Sequence, residues 1–258
     1  MKPWNPDKYL EYANLHSQAI ADLIQHVAKE RPRSIVDLGC GPGNSTELIA
    51  ARWPRAAITG VDIAQEMLEA GRTRHPEWRW VHSGIAEFQP AKPFDLVISC
   101  AALQWLPDHE RLLPQVWKLV QRRGALAVQM PANQDSPLHR AVFKTARNPQ
   151  WKPFTGRSRS ALNFQPPERY FAILAPLARR LEVWETIYNH EMRSLDSLLD
   201  WAQATVMRPF LSKIPTATGR RAFIAGVKRA CASAYPKTVR GTILYAQKRL
   251  FFIAHKDI

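Results

Sequence analysis

The stretch SIVDLGCGPGNST, residues 34–46, places three glycines and a proline within five positions, directly after a short apolar run. Glycine adopts positive φ angles and lets the backbone pass close to other atoms, so this composition predicts a tight turn. The residues after the turn, 44–52, have a helical pattern. A glycine-rich turn between a strand and a helix is typical of α/β folds in which the backbone approaches a ligand.

The first half of the chain alternates strand-like and helix-like segments. This alternation predicts a parallel sheet with helices on both faces. The predicted strands are 34–38, 57–63, 78–83, 94–99 and 125–130, and the predicted helices are 44–52, 65–74 and 109–120.

The second half of the chain does not continue this alternation of strands and helices. Residues 131–169 are rich in Pro, Ser, Asn and Arg and have weak periodicity. Segments 181–192 and 248–256 are strand-like and are expected to form an antiparallel pair that completes the sheet. The intervening segment 195–237 has a mainly helical pattern. It is too long for a simple connection between two strands, so it is expected to fold as a cap.

The expected fold class is therefore α/β, with a Rossmann-like, doubly wound, mostly parallel sheet, an antiparallel C-terminal strand pair and a helical cap insertion. The expected domains are an N-terminal helical segment at 1–30, a core at 31–135, and a C-terminal part at 136–258. Within this last part, the cap lies mainly in 193–240 and the two final strands in 181–192 and 248–256.

Positive charge is concentrated in the second half of the chain. Residues 1–130 carry 15 Lys and Arg against 14 Asp and Glu, whereas residues 131–258 carry 21 against 8. Such a field attracts anions, which include nucleic acids, membrane surfaces and acidic small molecules. The charge therefore restricts the class of partner without choosing among these three.

Three ligand classes use a glycine-rich turn of this kind. A phosphate-binding P-loop ends in Gly-Lys-Ser or Gly-Lys-Thr, and neither occurs here. A nicotinamide dinucleotide site prefers G-x-G-x-x-G, but here the third glycine comes one position early, at Gly43. The third class is the S-adenosylmethionine (AdoMet) site of the Rossmann-like methyltransferases, whose first motif is an acid followed by G-x-G-x-G. The segment Asp37 to Gly43 resembles that motif.

The resemblance implies a set of cofactor-binding residues at the ends of the first four strands. Asp37 is expected near the AdoMet ammonium, and glycines let the turn pass beneath the sulfonium and methionine part. Asp62 ends the second predicted strand, where an acid can accept hydrogen bonds from both ribose hydroxyls. The usual acid after the third strand is replaced by Gly84, so backbone groups of residues 84 and 85 are expected to hold adenine. The full set is Asp37, Gly39, Cys40, Gly41, Asn44, Asp62, Ile63, Gly84, Ile85 and Cys100.

The segment after the fourth strand separates the methyltransferase classes. Enzymes that methylate exocyclic amines of nucleobases carry paired prolines there, whereas this chain has Ser-Cys-Ala-Ala at 99–102. Cytosine C5 methylation needs a thiol nucleophile beside a proline, and Cys100 lacks that neighbour. Nucleic-acid methylation is therefore disfavoured, despite the basic charge.

Further segments along nearly the whole chain resemble the trans-aconitate 2-methyltransferase family, whose enzymes act on a small acid. The matching segments are WNPDKY, DLGCGPGNST, LQWLPDH, LAVQMPAN, RPFL and RLFFIA. The resemblance implies transfer of a methyl group from AdoMet to a carboxylate of trans-aconitate, with a monomethyl ester and S-adenosylhomocysteine as products. Three ionised carboxyl groups require cationic, preferably bidentate, partners. The expected substrate-binding residues are Arg208, Arg249, Trp105, Gln129, Asn133 and Tyr9.

The expected mechanism needs no general base, because an ionised carboxylate is already a nucleophile. Two alternatives stay open: methylation of another small polycarboxylate or small acceptor, and a nucleic-acid-binding protein that holds AdoMet. Three scattered cysteines in no CxxC pair predict neither a disulfide framework nor a metal site, which favours a cytoplasmic protein. The sequence also predicts no membrane segment, no nucleic-acid partner and no obligate protein partner.

Overall fold

The computed structural model describes residues 14–28, 31–155 and 163–257 of the 258-residue chain. These residues form two compact units. The sheet unit contains the described residues up to 131 together with 163–186 and 249–257, and the helical unit contains 132–155 and 187–248.

The bounds of the regular elements are as follows. The strands are β1 Ser34–Leu38, β2 Ala57–Asp62, β3 Arg79–His82, β4 Phe94–Cys100, β5 Val120–Pro131, β6 Arg180–Met192 and β7 Ile243–His255. The helices are α1 Asn14–His26, α2 Asn44–Arg52, α3 Gln65–Arg74, α4 His109–Lys118, α5 Pro137–Ala146, α6 Lys152–Thr155, α7 Pro167–Leu174, α8 Leu195–Ala204, α9 Arg208–Leu211 and α10 Ala217–Cys231. Short 3₁₀ helices occupy Leu103–Trp105 and Ala232–Ala234.

The seven strands form one sheet in the order β3-β2-β1-β4-β5-β7-β6. Strand β1 pairs in parallel with both β2 and β4, so the chain moves outward from β1 to β3 and then returns to the other side of β1. Strand β7 runs antiparallel to β5, with Pro131 opposite Arg249. The order reverses between β1 and β4, and open α/β sheets bind ligands at that point, beyond the carboxyl ends of the strands.

The central strands form because their residues are apolar on both faces. Ile35, Val36 and Leu38 of β1 are fully buried, as are the apolar residues in the middle of β4. A parallel strand covered on both faces reads as a continuous apolar run, which is why these segments lack alternation. The predicted mostly parallel α/β sheet with an antiparallel C-terminal pair is confirmed.

One tryptophan fills the space that three glycines leave in the sheet unit. A Cβ atom added to Gly43, Gly60 or Gly71 would approach the Trp80 ring to 2.9, 2.9 and 2.6 Å, respectively. The Trp80 indole N–H donates to the His75 carbonyl at 2.9 Å, which fixes the orientation of the ring. The glycine-rich turn after β1 therefore rests, at Gly43, on a large buried aromatic side chain.

The helical unit has its own aromatic core. The Phe223 ring packs edge-on against Trp151 with 5.6 Å between centroids, and it lies 6.3 Å from the Phe210 ring. Helix α8 begins with a capping box, in which the Ser194 hydroxyl accepts from the Ser197 N–H and the Ser197 hydroxyl accepts from the Ser194 N–H. This reciprocal pair satisfies two backbone donors at the start of the helix.

The sequence did not predict three described helices: α6, α7 and the longest of them, α5. The residues of α5 lie in the segment 131–169, which is rich in Pro and Ser and has weak periodicity. Ser136 caps the helix by accepting from the His139 N–H, and Pro137 occupies the first turn, where its missing N–H costs nothing. Within the part of the chain that the structure describes, no helix is long and apolar enough to cross a membrane.

Candidate functional site

The turn after β1 has the backbone geometry of a ligand-binding turn. Gly39 and Gly41 have φ angles of 75° and 55°, in the left-handed region that glycine tolerates best. The Gly39 and Cys40 N–H groups both donate to the Val61 carbonyl, at 2.7 and 3.1 Å, which ties the turn to the end of β2. The turn is thus held by the neighbouring strand and faces the edge of the sheet where the strand order reverses.

Asp37 stabilises this turn through hydrogen bonds of its side chain. Its side chain is fully buried, and its Oδ2 accepts from the hydroxyls of Ser45 and Thr46 at 2.7 and 2.8 Å. Burial raises the pKa of Asp37 to about 6, against the hydrogen bonds from those two hydroxyls, and the nearby Asp62 charge adds to the increase. The carboxylate therefore joins the end of β1 to the first turn of α2.

Asp62, the last residue of β2, stabilises the turn from the neighbouring strand. Its Oδ2 accepts from the Gly41 N–H and its Oδ1 from the Ala64 N–H, both at 2.8 Å. Burial raises the pKa of Asp62, and these backbone bonds oppose the increase. Each carboxylate oxygen has a second lone pair, so both can still accept from a hydroxyl. A forked pair of acceptors at the end of β2 suits the two hydroxyls of a ribose.

The residues after β3 lie against the same turn. A Cβ on Gly39 would be 3.7 Å from Cδ1 of Ile85, and a Cβ on Gly84 would be 3.8 Å from Cδ1 of Ile63. The structure thus brings together Ile63, Gly84 and Ile85 with the glycine turn, as the sequence predicts. Adenine binding by the backbone of Gly84 and Ile85 stays a prediction.

A second polar cluster lies at the ends of β4 and β5. Arg249 is 1% exposed and its Nη1 donates to Oε1 of Gln129 at 3.3 Å, across the pairing of β5 with β7. Burial raises the pKa of Cys100 well above its usual range. The Asp37 charge adds to this increase, whereas a hydrogen bond with Gln129 and the Arg249 charge oppose it. The Cys100 thiol is therefore near enough to both Asp37 and Arg249 for their charges to act on it.

Buried polar atoms at this edge fit AdoMet. Asp37 Oδ1, Asn44 Oδ1 and Gln104 Oε1 are buried acceptors that receive no hydrogen bond from the described residues. AdoMet carries an ammonium group and two ribose hydroxyls, which are donors that such acceptors need. The Gln104 side-chain amide donates to the Ala101 carbonyl at 2.6 Å, and no motif in the sequence pointed to Gln104 as a site residue. Ala101 itself has a φ of 53°, and this backbone bend has no signal in the sequence.

The other predicted substrate residues fall in different places. Trp105 ends the 3₁₀ helix after β4 in the sheet unit. Asn133 is in the helical unit, where its Oδ1 accepts from the Lys248 N–H and its Nδ2 donates to the Tyr245 hydroxyl. Arg208 is the first residue of α9 in the same unit and is partly exposed. Tyr9 lies outside the described residues. The substrate roles of these residues stay predictions.

The fold and this edge define a Rossmann-like, AdoMet-dependent methyltransferase. Residues 35–124 match a family model described as a methyltransferase domain. The chain belongs to the trans-aconitate 2-methyltransferase family. A trans-aconitate 2-methyltransferase from Yersinia pestis is 38% identical over 258 residues, which cover 99% of each chain. A second, from Rhodopseudomonas palustris, is 35% identical over 257 residues, which cover 99% of this chain and 100% of the relative.

Solved structures show the same fold at low sequence identity. The YcgJ protein of Bacillus subtilis has a TM-score of 0.63 at 13% identity, covering 94% of this chain and 100% of that chain. Phosphoethanolamine N-methyltransferase 2 of Haemonchus contortus, solved with phosphomonomethylethanolamine and S-adenosylhomocysteine, has a TM-score of 0.55 at 16% identity. This match covers 94% of this chain and 52% of that chain.

The raised pKa of Asp37 predicts a pH-dependent stability of the protein without cofactor. Between its ordinary pKa of 3.8 and about 6, the folded state binds more protons at this carboxyl than the unfolded state does. The free energy of unfolding therefore falls as pH rises through this window and levels off above it, a change of about 3 kcal/mol. Asp37→Asn removes this contribution, so the variant should gain stability relative to the original protein between pH 4 and pH 7.

Urea unfolding of both proteins at pH 4, 5, 6 and 7, without AdoMet, measures this difference. Taking the difference between the two proteins cancels titrations elsewhere in the chain. A difference in unfolding free energy that stays constant from pH 4 to 7 would show that Asp37 titrates normally in the folded state.

Proposed function

We propose that this chain transfers the methyl group of AdoMet to a carboxylate of trans-aconitate, giving a monomethyl ester and S-adenosylhomocysteine. The relatives at 35 and 38% identity are named for this activity and match almost the full length of the chain. When bound, AdoMet supplies a methyl group activated by its sulfonium. The residues of the chain then have to bind the acid, exclude water and align the attacking oxygen.

The buried Arg249 is the observation that carries the choice of an acidic substrate. A guanidinium has five N–H donors in a planar fork, and Gln129, a neutral amide, accepts from one nitrogen of this group. The Nε2 of Gln129 is a second buried donor in this cluster. A carboxylate beside both side chains would accept from one cationic and one neutral donor, and both hydrogen bonds would be charge-assisted because the acceptor is ionised. The pair therefore suits an anion at the ends of β5 and β7.

The proposed mechanism divides the three carboxylates by role. An arginine that grips the reacting carboxylate would lower its nucleophilicity, so we assign arginines to the two non-reacting carboxylates. The third carboxylate is ionised at neutral pH and attacks without a general base. Catalysis then depends on alignment, which can supply an effective molarity on the order of 10⁵ to 10⁸ M.

The direct test is incubation of the purified protein with methyl-labelled AdoMet and a panel of di- and tricarboxylates. We expect label in a base-labile methyl ester, with trans-aconitate the preferred acceptor over cis-aconitate, citrate and dicarboxylates. A higher kcat/KM for another acid would reassign the substrate within the same chemistry. Label in RNA, or in a base-stable product, would contradict carboxyl methylation.

A crossed pair of variants separates acceptor binding from cofactor binding. Arg208→Ala should raise KM for trans-aconitate about 10-fold or more, because it removes a cationic partner, and leave AdoMet affinity nearly unchanged. Asp62→Ala should do the reverse, because it removes both acceptors at the end of β2. Steady-state kinetics and calorimetric binding of S-adenosylhomocysteine measure the two effects. Equal losses of both affinities in Arg208→Ala would remove this residue from the acceptor site.

A further inference from the structure

A cavity of about 550 Å³ lies near the amino end of β5, at the opposite edge of the sheet from the glycine-rich turn. Three segments of the sheet unit line it: residues 123–124 in β5, residues 179–180 at the start of β6 and residues 255–257 at the end of β7. Arg249 and His255 are six residues apart on β7, which corresponds to roughly 20 Å of extended strand. The cavity is therefore separate from the proposed acceptor site.

Positive side chains dominate the lining of this cavity. Four of the lining residues are cationic: Arg123, Arg179, Arg180 and Lys256. Among the described residues, the carboxylate in the lining is that of Asp257, whose Oδ1 lies 3.4 Å from Nη1 of Arg179. Glu182 adds a second carboxylate beside the cavity, with its Oε1 3.3 Å from Nε of Arg180. Four cations against two carboxylates leave an excess of positive charge, which attracts anions.

Backbone hydrogen bonds hold the lining segments together. The Arg123 N–H donates to the Asp257 carbonyl at 3.1 Å, and the Arg179 N–H donates to the His255 carbonyl at 2.9 Å. The segments that carry the cations are therefore fixed relative to one another in the protein without a ligand. A preformed arrangement of this kind lowers the entropy cost of binding.

A bulge in β5 brings Arg123 to the cavity. Phe94 pairs with Val120 and Leu96 pairs with Ala125, so β5 contains extra residues at this point. Within them, Arg123 has a φ of 60°, in the left-handed region that is unfavourable for residues with a Cβ. Bulges often redirect a side chain, and a strained backbone is retained where the surrounding structure requires it. The bulge thus adds a further guanidinium to the lining.

We propose that this cavity binds a compact polyanion with several phosphoryl or carboxyl groups. Arginine guanidinium groups pair bidentately with the oxygens of either group. Lys256 already donates to the Val120 carbonyl at 2.6 Å, so it contributes mainly charge, and the arginines supply the donors. The side chains of the described lining residues are polar or charged, so the ligand needs closely spaced charges rather than a large apolar part. The inference is independent of the identity of the methyl acceptor.

Calorimetry with three probes tests this proposal. Tripolyphosphate represents phosphoryl groups, citrate represents carboxyl groups, and acetate is the control with a single charge. We expect tripolyphosphate or citrate to bind at least about 10-fold more tightly than acetate, because several charge-assisted hydrogen bonds form together. The tighter of the two polyanions identifies the source of the anionic groups. Binding of neither polyanion more tightly than acetate would overturn the proposal.

Two matched charge reversals locate the binding site. Arg180→Glu and Arg111→Glu make the same change at side chains that are 64% and 86% exposed, each with an acid nearby. Arg180→Glu should weaken polyanion binding about 10-fold or more, whereas Arg111→Glu should weaken it less than about 3-fold. Equal weakening by the two variants would show that net charge alone attracts the polyanion, and this result would overturn the proposal.

The Arg249→Met variant separates this cavity from the acceptor site. Polyanion affinity should stay within about 3-fold of the original protein in Arg249→Met, because the two places are distant. Loss of polyanion binding in Arg249→Met together with its retention in Arg180→Glu would assign the polyanion to the acceptor site and overturn the proposal.

Two measurements guard against misfolding of the charge-reversed variant. The affinity of Arg180→Glu for S-adenosylhomocysteine should stay within about 3-fold of the original protein, which verifies that the sheet unit is intact. Arg179→Gln removes a second lining cation without reversing its charge, and it should also weaken polyanion binding, by about 3-fold or more. Unchanged polyanion binding in Arg179→Gln and Arg180→Glu would overturn the proposal.

Discussion

Arg249→Met should raise KM for trans-aconitate roughly 100-fold or more and leave the affinity for S-adenosylhomocysteine within about 3-fold of the original protein. Methionine fills much of the volume of the arginine stem, so the change mainly removes the charge and the planar set of donors. Loss of one partner from a buried charge pair costs about 2–5 kcal/mol, and each 1.4 kcal/mol is a factor of ten in affinity. The large effect follows from the burial of Arg249 beside Gln129.

The controls for this prediction address charge and folding separately. Arg249→Lys keeps the positive charge and loses the fork, so its KM should fall between those of the original protein and Arg249→Met. Arg111→Met makes the same chemical change at a side chain that is 86% exposed, and it should leave both constants unchanged. A parallel loss of S-adenosylhomocysteine binding in Arg249→Met would mean that Arg249 supports the fold of the site rather than the acceptor.

The turn and the acids of the candidate cofactor site could be predicted from the sequence because these residues are close together in the chain and have special local requirements. The turn after β1 needs glycines at positive φ, and such a requirement can be read from Gly39, Gly41 and Gly43. The acids at Asp37 and Asp62 could be placed because a strand end follows from a short apolar run. The same local signals were available for α5, where Ser136 and Pro137 form a helix start that the composition of the segment obscured.

The contacts that depend on distant strand pairing could not be read from the sequence. The segment KRLFF identifies Arg249 as a candidate, but its burial arises only because β7 pairs antiparallel with β5 and brings it beside Gln129. The packing of Trp80 against Gly43, Gly60 and Gly71 likewise combines a turn, a strand and a helix.

Two of the three glycines with positive φ in the turn, Gly39 and Gly41, should respond very differently to alanine. In both positions an alanine must adopt a left-handed conformation, which costs roughly 1–2 kcal/mol. At Gly41, no described atom lies within 4 Å of the added Cβ, so the cost should end there. At Gly39, the added Cβ would overlap Cβ of Ala102, and an alanine has no side-chain torsion that could relieve the clash. Either the turn or the segment after β4 must move.

Gly39→Ala should therefore lose about 1–3 kcal/mol more unfolding free energy than Gly41→Ala, which is the cost typical of overpacking. Gly39→Ala should also weaken S-adenosylhomocysteine binding more than Gly41→Ala does, because the Gly39 and Cys40 N–H groups fix the turn by donating to the Val61 carbonyl. Urea unfolding measures the first effect and calorimetry the second. Similar unfolding free energies for the two variants would refute the fixed contact with Ala102. The position of the turn would then be set by its own backbone bonds to β2, since Ala102 belongs to the segment after β4.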